Sequence, residues 1–374
     1  MDIEKLLNET VTDGGTQMTV REFYNRMGSP DFDFEKYVKS GMLPEILKLS
    51  EHFLTHSSPE ECMSEETLRY WAERGLKKEY VKDPDGDYIV FSPLNHEPDR
   101  KYPMLFTIYG GNPNLYFVET LGFTHLAAEE QLIQVIPQVE FADREPRMDR
   151  DRPYTLLDKL IADYPVDESR IYMTGFSHGG ILSQWNGIAH FERFAGICPS
   201  GIRPGDGGPR RPGVGPSFMI YYDYPVTEEL IRAHLPVVYC IGMAEQPEHL
   251  PLYHENHAPI FEHYIDEHVS MLKPITRMNE TPEIDEETLR KCADSEDSSE
   301  RAVGFPLENT HVETYFGAKH YFGDVPSKDG VVRTRYIAVE NQPHHPSAAW
   351  ARLSWNFISK FRRDPVTHES VYEG

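Results

Sequence analysis

Ser177 stands in GFSHGG (residues 175–180), with a glycine two residues before it and another two residues after it. A serine hydroxyl is a weak nucleophile until it is held out toward a base and a substrate carbonyl. A sharp turn from strand to helix achieves this, and it needs small residues at −2 and +2, where side chains would collide with the neighbouring strand and helix. Gly175 and Gly179 occupy those places. The helix that follows brings free N–H groups and the positive end of its dipole to the point where negative charge develops. Alone, such a pattern is weak. Here RIYMTGF (170–176) precedes it as a strand, and Ile181, Leu182, Trp185 and Ile188 line one face of the helix behind it. The chemistry predicted is acyl transfer at an activated serine.

Such a turn requires a sheet, and the chain supplies the segments for one. EYVKDPDGDYIVFSP (79–93) sets two β-rich runs around a glycine turn, a hairpin. Beyond it, strand-like and helix-like segments alternate. YPMLFTIYGG (102–111), LIQVIPQ (132–138), FAGICPS (194–200) and LPVVYCIG (235–242) are apolar strands, while FVETLGFTHLAAEEQ (117–131), YTLLDKLIADY (154–164) and GGILSQWNGIAHF (179–191) have helical spacing. Apolar strands interleaved with helices predict an α/β fold, a mostly parallel sheet covered on both faces. VVRTRYIAVE (331–340) is a last strand and SAAWARLSWNFISKF (347–361) a last helix.

Two regions depart from this alternation. Residues 1–78 read as a helical extension, with PEILKLSEHFLTH from Pro44 and SEETLRYWAERGL from Ser64, and serve as a cap, a packing extension or an oligomer contact. Residues 79–374 form the catalytic domain, and within it about 246–330 read as a lid-like insertion with a solvated acidic loop, DEETLRKCADSEDSSE, because so long an interval rarely stays structureless.

With these segments in place the chain resembles the α/β-hydrolase family and, more loosely, its esterase branch of polyhydroxybutyrate-depolymerase-like and feruloyl-esterase-like proteins. The resemblance rests on YGGN (109–112), GFSHGG (175–180), GMAE (242–245) and QPHH (342–345). It implies an eight-stranded, mostly parallel sheet and a triad in the chain order nucleophile, acid, histidine. For the oxyanion hole it implies the N–H groups of His178 and Gly111, with Gly110 and Asn112 beside the latter and Tyr109 where a histidine is common. The acid falls past LPVVYCIG at Glu245, where an aspartate is commoner, with Asp223 as the alternative. The base is His344, directly after Pro343, with His345 as the other candidate. The implied reaction is hydrolysis of a small acyl ester through an acyl-enzyme, without cofactor or metal. A serine peptidase, a thioesterase or a catalytically silent binding protein on the same fold are the alternatives.

Composition narrows the partners. A formal net charge of −24 over 374 residues opposes nucleic acid and anionic membranes, since neutralising phosphate needs clustered Lys and Arg. The start, MDIEKLLNETVTDGG, lacks the basic and apolar parts of a secretory signal, so a cytoplasmic protein is expected, and assembly of identical subunits is left open. Cys62, Cys198, Cys240 and Cys292 are widely spaced, and the second and third lie in apolar runs, as buried thiols do. The histidines of 248–268 (His249, His254, His257, His263, His268) lack the i, i+4 spacing of zinc helices between His263 and His268 and read as a solvated lid segment. Arg203, Arg210 and Arg211 lie in a Gly/Pro-rich loop that reads as mobile.

Overall fold

The computed structural model describes residues 3–13, 16–30, 32–42, 63–109, 119, 122–137, 151–202, 226–245, 272–296, 309–346 and 349–374. The chain opens with α1 (Ile3–Leu7), a hairpin of β1 (Thr10–Asp13) and β2 (Thr16–Thr19), then α2 (Val20–Met27), α3 (Phe34–Ser40) and α4 (Glu65–Ala72). In this segment α2, α3 and α4 each start at a side-chain cap. The Thr19 hydroxyl accepts from the Glu22 N–H at 3.1 Å while the Glu22 carboxylate accepts from the Thr19 N–H at 2.7 Å, a reciprocal box. Ser64 caps α4 as its sequence position predicts. The β1–β2 hairpin was not expected in a segment read as helical throughout. The helix predicted from Pro44 lies outside the described residues.

Among the described residues ten strands make the central sheet: β3 (Leu76–Val81), β4 (Tyr88–Pro93), β5 (Tyr102–Tyr109), β6 (Ile133–Pro137), β7 (Val166–Phe176), β8 (Gly196–Ser200), β9 (Val237–Gly242), β10 (Asn309–Tyr315), β11 (Ala318–Pro326) and β12 (Val332–Val339). Their spatial order is β3-β4-β6-β5-β7-β8-β9-β12-β11-β10. From β6 to β12 neighbours run parallel, whereas β4 is antiparallel to both its neighbours and β11 is antiparallel to both β10 and β12. The first eight positions, with one crossing of β5 and β6 and an antiparallel second strand, are those of the α/β-hydrolase fold.

Successive residues alternate between two cores, as strand geometry requires. Leu105, Tyr172 and Val238 join one that includes α5 (Phe123–Glu130), α10 (Trp350–Ile358) and, from the N-terminal segment, Val20, Tyr24 and Tyr37. Met104, Phe106, Met173 and Val237 face the other, with α6 (Arg152–Asp163), residues of α7 (His178–Ala189) and α8 (Glu228–Ala233). A short hairpin of β13 (Phe361–Arg363) and β14 (Ser370–Tyr372) follows α10.

Among the described residues the sheet has two more strands than the eight expected, both from within the stretch 246–330 read as a lid-like insertion. β10 and β11 extend the sheet from inside that stretch. β10 is an edge strand whose central residues are exposed, so it lacks the apolar run by which the buried parallel strands declare themselves. The acidic tract expected as a loop begins with a helix, α9 (Glu286–Ala293), capped by Asp285 and burying Leu289 and Cys292. Leu272, Ile275 and Met278 join the second core, and Asn279 bonds both backbone groups of Leu235, two residues before β9. Residues 272–293 are therefore built into the domain. Residues 246–271 and 297–308 lie outside the described residues.

Candidate active site

Three loops at the C-terminal ends of β7, β9 and β12 meet on one side of the sheet, where ligands of open α/β sheets bind. The first is the turn between β7 and α7. Ser177 has φ 56° and ψ −126°, a conformation that L-residues avoid and that costs of order 1–3 kcal/mol. Its own N–H is tied to the Ser200 carbonyl oxygen at 2.8 Å, which locks the turn to β8. A Cβ on Gly175 would overlap the Gly179 carbonyl, and one on Gly180 would lie 2.7 Å from the Ser200 oxygen. The bend therefore demands glycine at 175 and 180 on steric grounds.

Glu245 follows β9 and is 1% exposed. Its Oε1 accepts from the Gly242 N–H at 2.9 Å and its Oε2 meets His344 Nδ1 at 2.6 Å. On the other side of the ring, His344 Nε2 lies 2.9 Å from Ser177 Oγ. A carboxylate accepts only, so Nδ1 carries the proton and Nε2 is left as acceptor for the serine hydroxyl. The ring leans on Phe176, centroid to centroid 4.8 Å, which fixes its tilt. The structure thus brings Ser177, His344 and Glu245 into one hydrogen-bonded line.

Close approach of two loops makes this line. Met243 N–H donates to the Val339 oxygen at 2.9 Å and Ala244 N–H to the Gln342 oxygen at 3.0 Å, so the acid loop is laced to the histidine loop. A Cβ on Gly242 would overlap that same Gln342 oxygen. Gly242 opens GMAE and Gln342 opens QPHH, and a glycine closing a strand is the sequence signal for this contact.

His345, the other candidate for the base, points away. It is buried beside Tyr24 at 4.9 Å, its Nδ1 reaches the Pro346 oxygen at 3.1 Å, and burial pushes its imidazole down to about 3. His178 is the first residue of α7, whose leading N–H groups have no acceptor inside the helix. Burial pushes its imidazole down to about 4, so next to Ser177 it is uncharged at neutral pH. Gly111, Gly110 and Asn112 lie outside the described residues. So do Asp223, the histidines of 249–268, and Arg203, Arg210 and Arg211. Among the described residues no group of His, Cys, Asp and Glu is arranged to hold a metal ion, and no helix is long and apolar enough to cross a membrane. Cys198, Cys240 and Cys292 are buried thiols.

No protein-family model matches the chain, and no curated protein matches it. Solved structures do. The chain is similar to a thermostable esterase at 24% identity and a TM-score of 0.32, over 45% of this chain and 46% of that one. It is similar to an S-formylglutathione hydrolase from Agrobacterium tumefaciens at 16% identity and 0.35, over 45% and 76% of the two chains. A ferulic acid esterase aligns at 17% identity and 0.34, over 45% and 78%. The match thus spans less than half the length of the thermostable esterase. These solved neighbours carry the names of esterases and hydrolases, and the present chain has the α/β-hydrolase fold that its own strand order defines.

Proposed function

We propose that the protein is a serine hydrolase that cleaves a carboxylic ester through an acyl-enzyme. The observation that carries this reading is the unbroken line from Ser177 Oγ through His344 to the buried Glu245, with its two contacts at 2.9 and 2.6 Å. His344 Nε2 takes the Ser177 proton as Oγ attacks the ester carbonyl, and Glu245 stabilises the imidazolium that forms. The tetrahedral oxyanion would lie at the N-terminus of α7, with the His178 N–H as one donor; the resemblance implies Gly111 as the second. The imidazolium then gives its proton to the departing alcohol. Water, deprotonated by the same nitrogen, releases the acid in a second round.

The strained backbone at Ser177 is a further support: strain of this size persists where surrounding contacts over-determine it. An active-site-directed fluorophosphonate tests the proposal. The parent protein should be labelled, with the label recovered on Ser177 and lost in Ser177→Ala. A folded parent that stays unlabelled would identify a silent binding protein instead. Turnover of p-nitrophenyl esters of graded acyl length, set beside peptide and thioester substrates, then assigns the acyl class.

A further inference from the structure

The two loops that meet over Ser177 are each tied to the N-terminal segment. His344 spends its own backbone N–H on the Met27 oxygen at 2.8 Å, and the Ala244 oxygen, one residue before Glu245, accepts from the Ser29 N–H at 2.8 Å. Asn341 completes the connection: its Oδ1 accepts from the Asp33 N–H at 2.9 Å and its Nδ2 donates to the Asp33 oxygen at 2.8 Å. Tyr24 and Phe23 pack edge-on against His345.

The histidine loop is also laced to Met243 and Ala244, but it has few backbone donors of its own to spend. In QPHHP (342–346) two of five residues are prolines without an N–H, and the His345 N–H turns back to Pro343. The one backbone donor of His344 therefore leaves the catalytic domain altogether. On the opposite side Gly28 sits between Met27 and Ser29, and a Cβ there would lie 2.5 Å from Phe32 Cβ and Cγ. The chain at 27–29 is thus pressed to a fixed path while it holds both loops.

We propose that the segment from Val20 to Met42 is a positioning device for the acid and the base, clasped by Asn341, and not merely a cover for the apolar core. This rests on the reading of Ser177, His344 and Glu245 given above. The segment fixes the height of the imidazole over Oγ and of the carboxylate beneath it, so Asn341 acts on the reaction through His344 without touching substrate.

The test uses the full chain and two variants that loosen the clasp by unrelated routes. Asn341→Gly removes both side-chain bonds and keeps the backbone, since glycine accepts the φ of 53° at this residue freely. Gly28→Ala displaces 27–29 from Phe32. Asn341→Asp keeps the acceptor for the Asp33 N–H and serves as the partial rescue. Melting curves establish that each variant is folded at the assay temperature. Because a misplacement of about 1 Å costs as much as 10²-fold, the acylation rate with p-nitrophenyl acetate should fall at least about tenfold in Asn341→Gly and Gly28→Ala, with KM within about twofold of the parent and Asn341→Asp between.

Folded variants that acylate within about twofold of the parent would overturn the proposal, as would a change confined to KM. If Gly28→Ala fails to fold, Asn341→Gly decides. A second readout does not depend on turnover: the downfield proton resonance of the His344 Nδ1–H shared with Glu245 should broaden or vanish in Asn341→Gly. Its loss in a protein that never reacts with fluorophosphonate would leave the clasp standing and remove the hydrolase reading. Its survival unchanged beside a parent-like acylation rate would do the reverse.

Discussion

Glu245→Gln is the substitution for which the geometry gives the sharpest expectation. Both carboxylate oxygens are committed, Oε1 to the Gly242 N–H at 2.9 Å and Oε2 to His344 Nδ1 at 2.6 Å, and the group is buried. An amide has a single acceptor for these two donors. If its oxygen stays on Gly242, the NH2 faces Nδ1, the ring takes the other tautomer, and Nε2 presents a proton to Ser177 instead of a lone pair. The base is then lost, and the expected fall in kcat is about 10⁴-fold, or about 5 kcal/mol in the barrier. If the amide flips to keep Nδ1 as donor, its NH2 confronts the Gly242 N–H, at a cost of about 1–3 kcal/mol for the buried donor left without an acceptor. In either case the imidazolium loses its counter-charge. The assay is kcat and KM for p-nitrophenyl acetate from pH 5 to 9, with urea unfolding alongside. A variant within tenfold of the parent in kcat, at unchanged stability, would refute the assigned role of Glu245.

Two further outcomes follow from groups away from the serine. Burial holds His345 down to about 3 against an ordinary 6.5, so the unfolded chain takes up the proton first as pH falls. Neutral His345 therefore contributes its full stability above pH 6.5 and loses it progressively toward pH 3, with about 2 kcal/mol gone by pH 5. Urea midpoints of the parent should fall more steeply between pH 7 and 5 than those of His345→Asn; parallel curves would contradict this account. Lys78 on β3 and Glu119 form an ion pair with both side chains at 0% exposure, and Trp71 Nε1 donates to the same carboxylate at 2.8 Å. Lys78→Met should cost about 3–5 kcal/mol by stranding the buried charge, and adding Glu119→Leu should recover much of it; a double variant no more stable than the single one would show that the pair's geometry, and not its charge, matters.

The sequence by itself determined what is local. The β-to-α turn at Ser177 is written in Gly175 and in the apolar faces of RIYMTGF and the helix behind it, because a strained bend and a buried parallel strand each demand particular residue types at fixed spacing. The alternation of strands and helices from 79 to 242 was legible for the same reason. β10 was not, since an edge strand such as THVET carries no apolar run, and α9 hid within a tract whose acids belong on an exposed helical face.

Pairing across long separations was decided only by tertiary structure. Nothing in NQPHHP distinguishes two adjacent histidines by residue type, yet one ring meets Ser177 and the other turns into the N-terminal aromatics. The choice follows from the lacing of Met243 and Ala244 to Val339 and Gln342 and from the bond between His344 and Met27, contacts made by backbone groups. Every residue but proline carries the same backbone N–H, so such contacts leave no signature in the order of side chains.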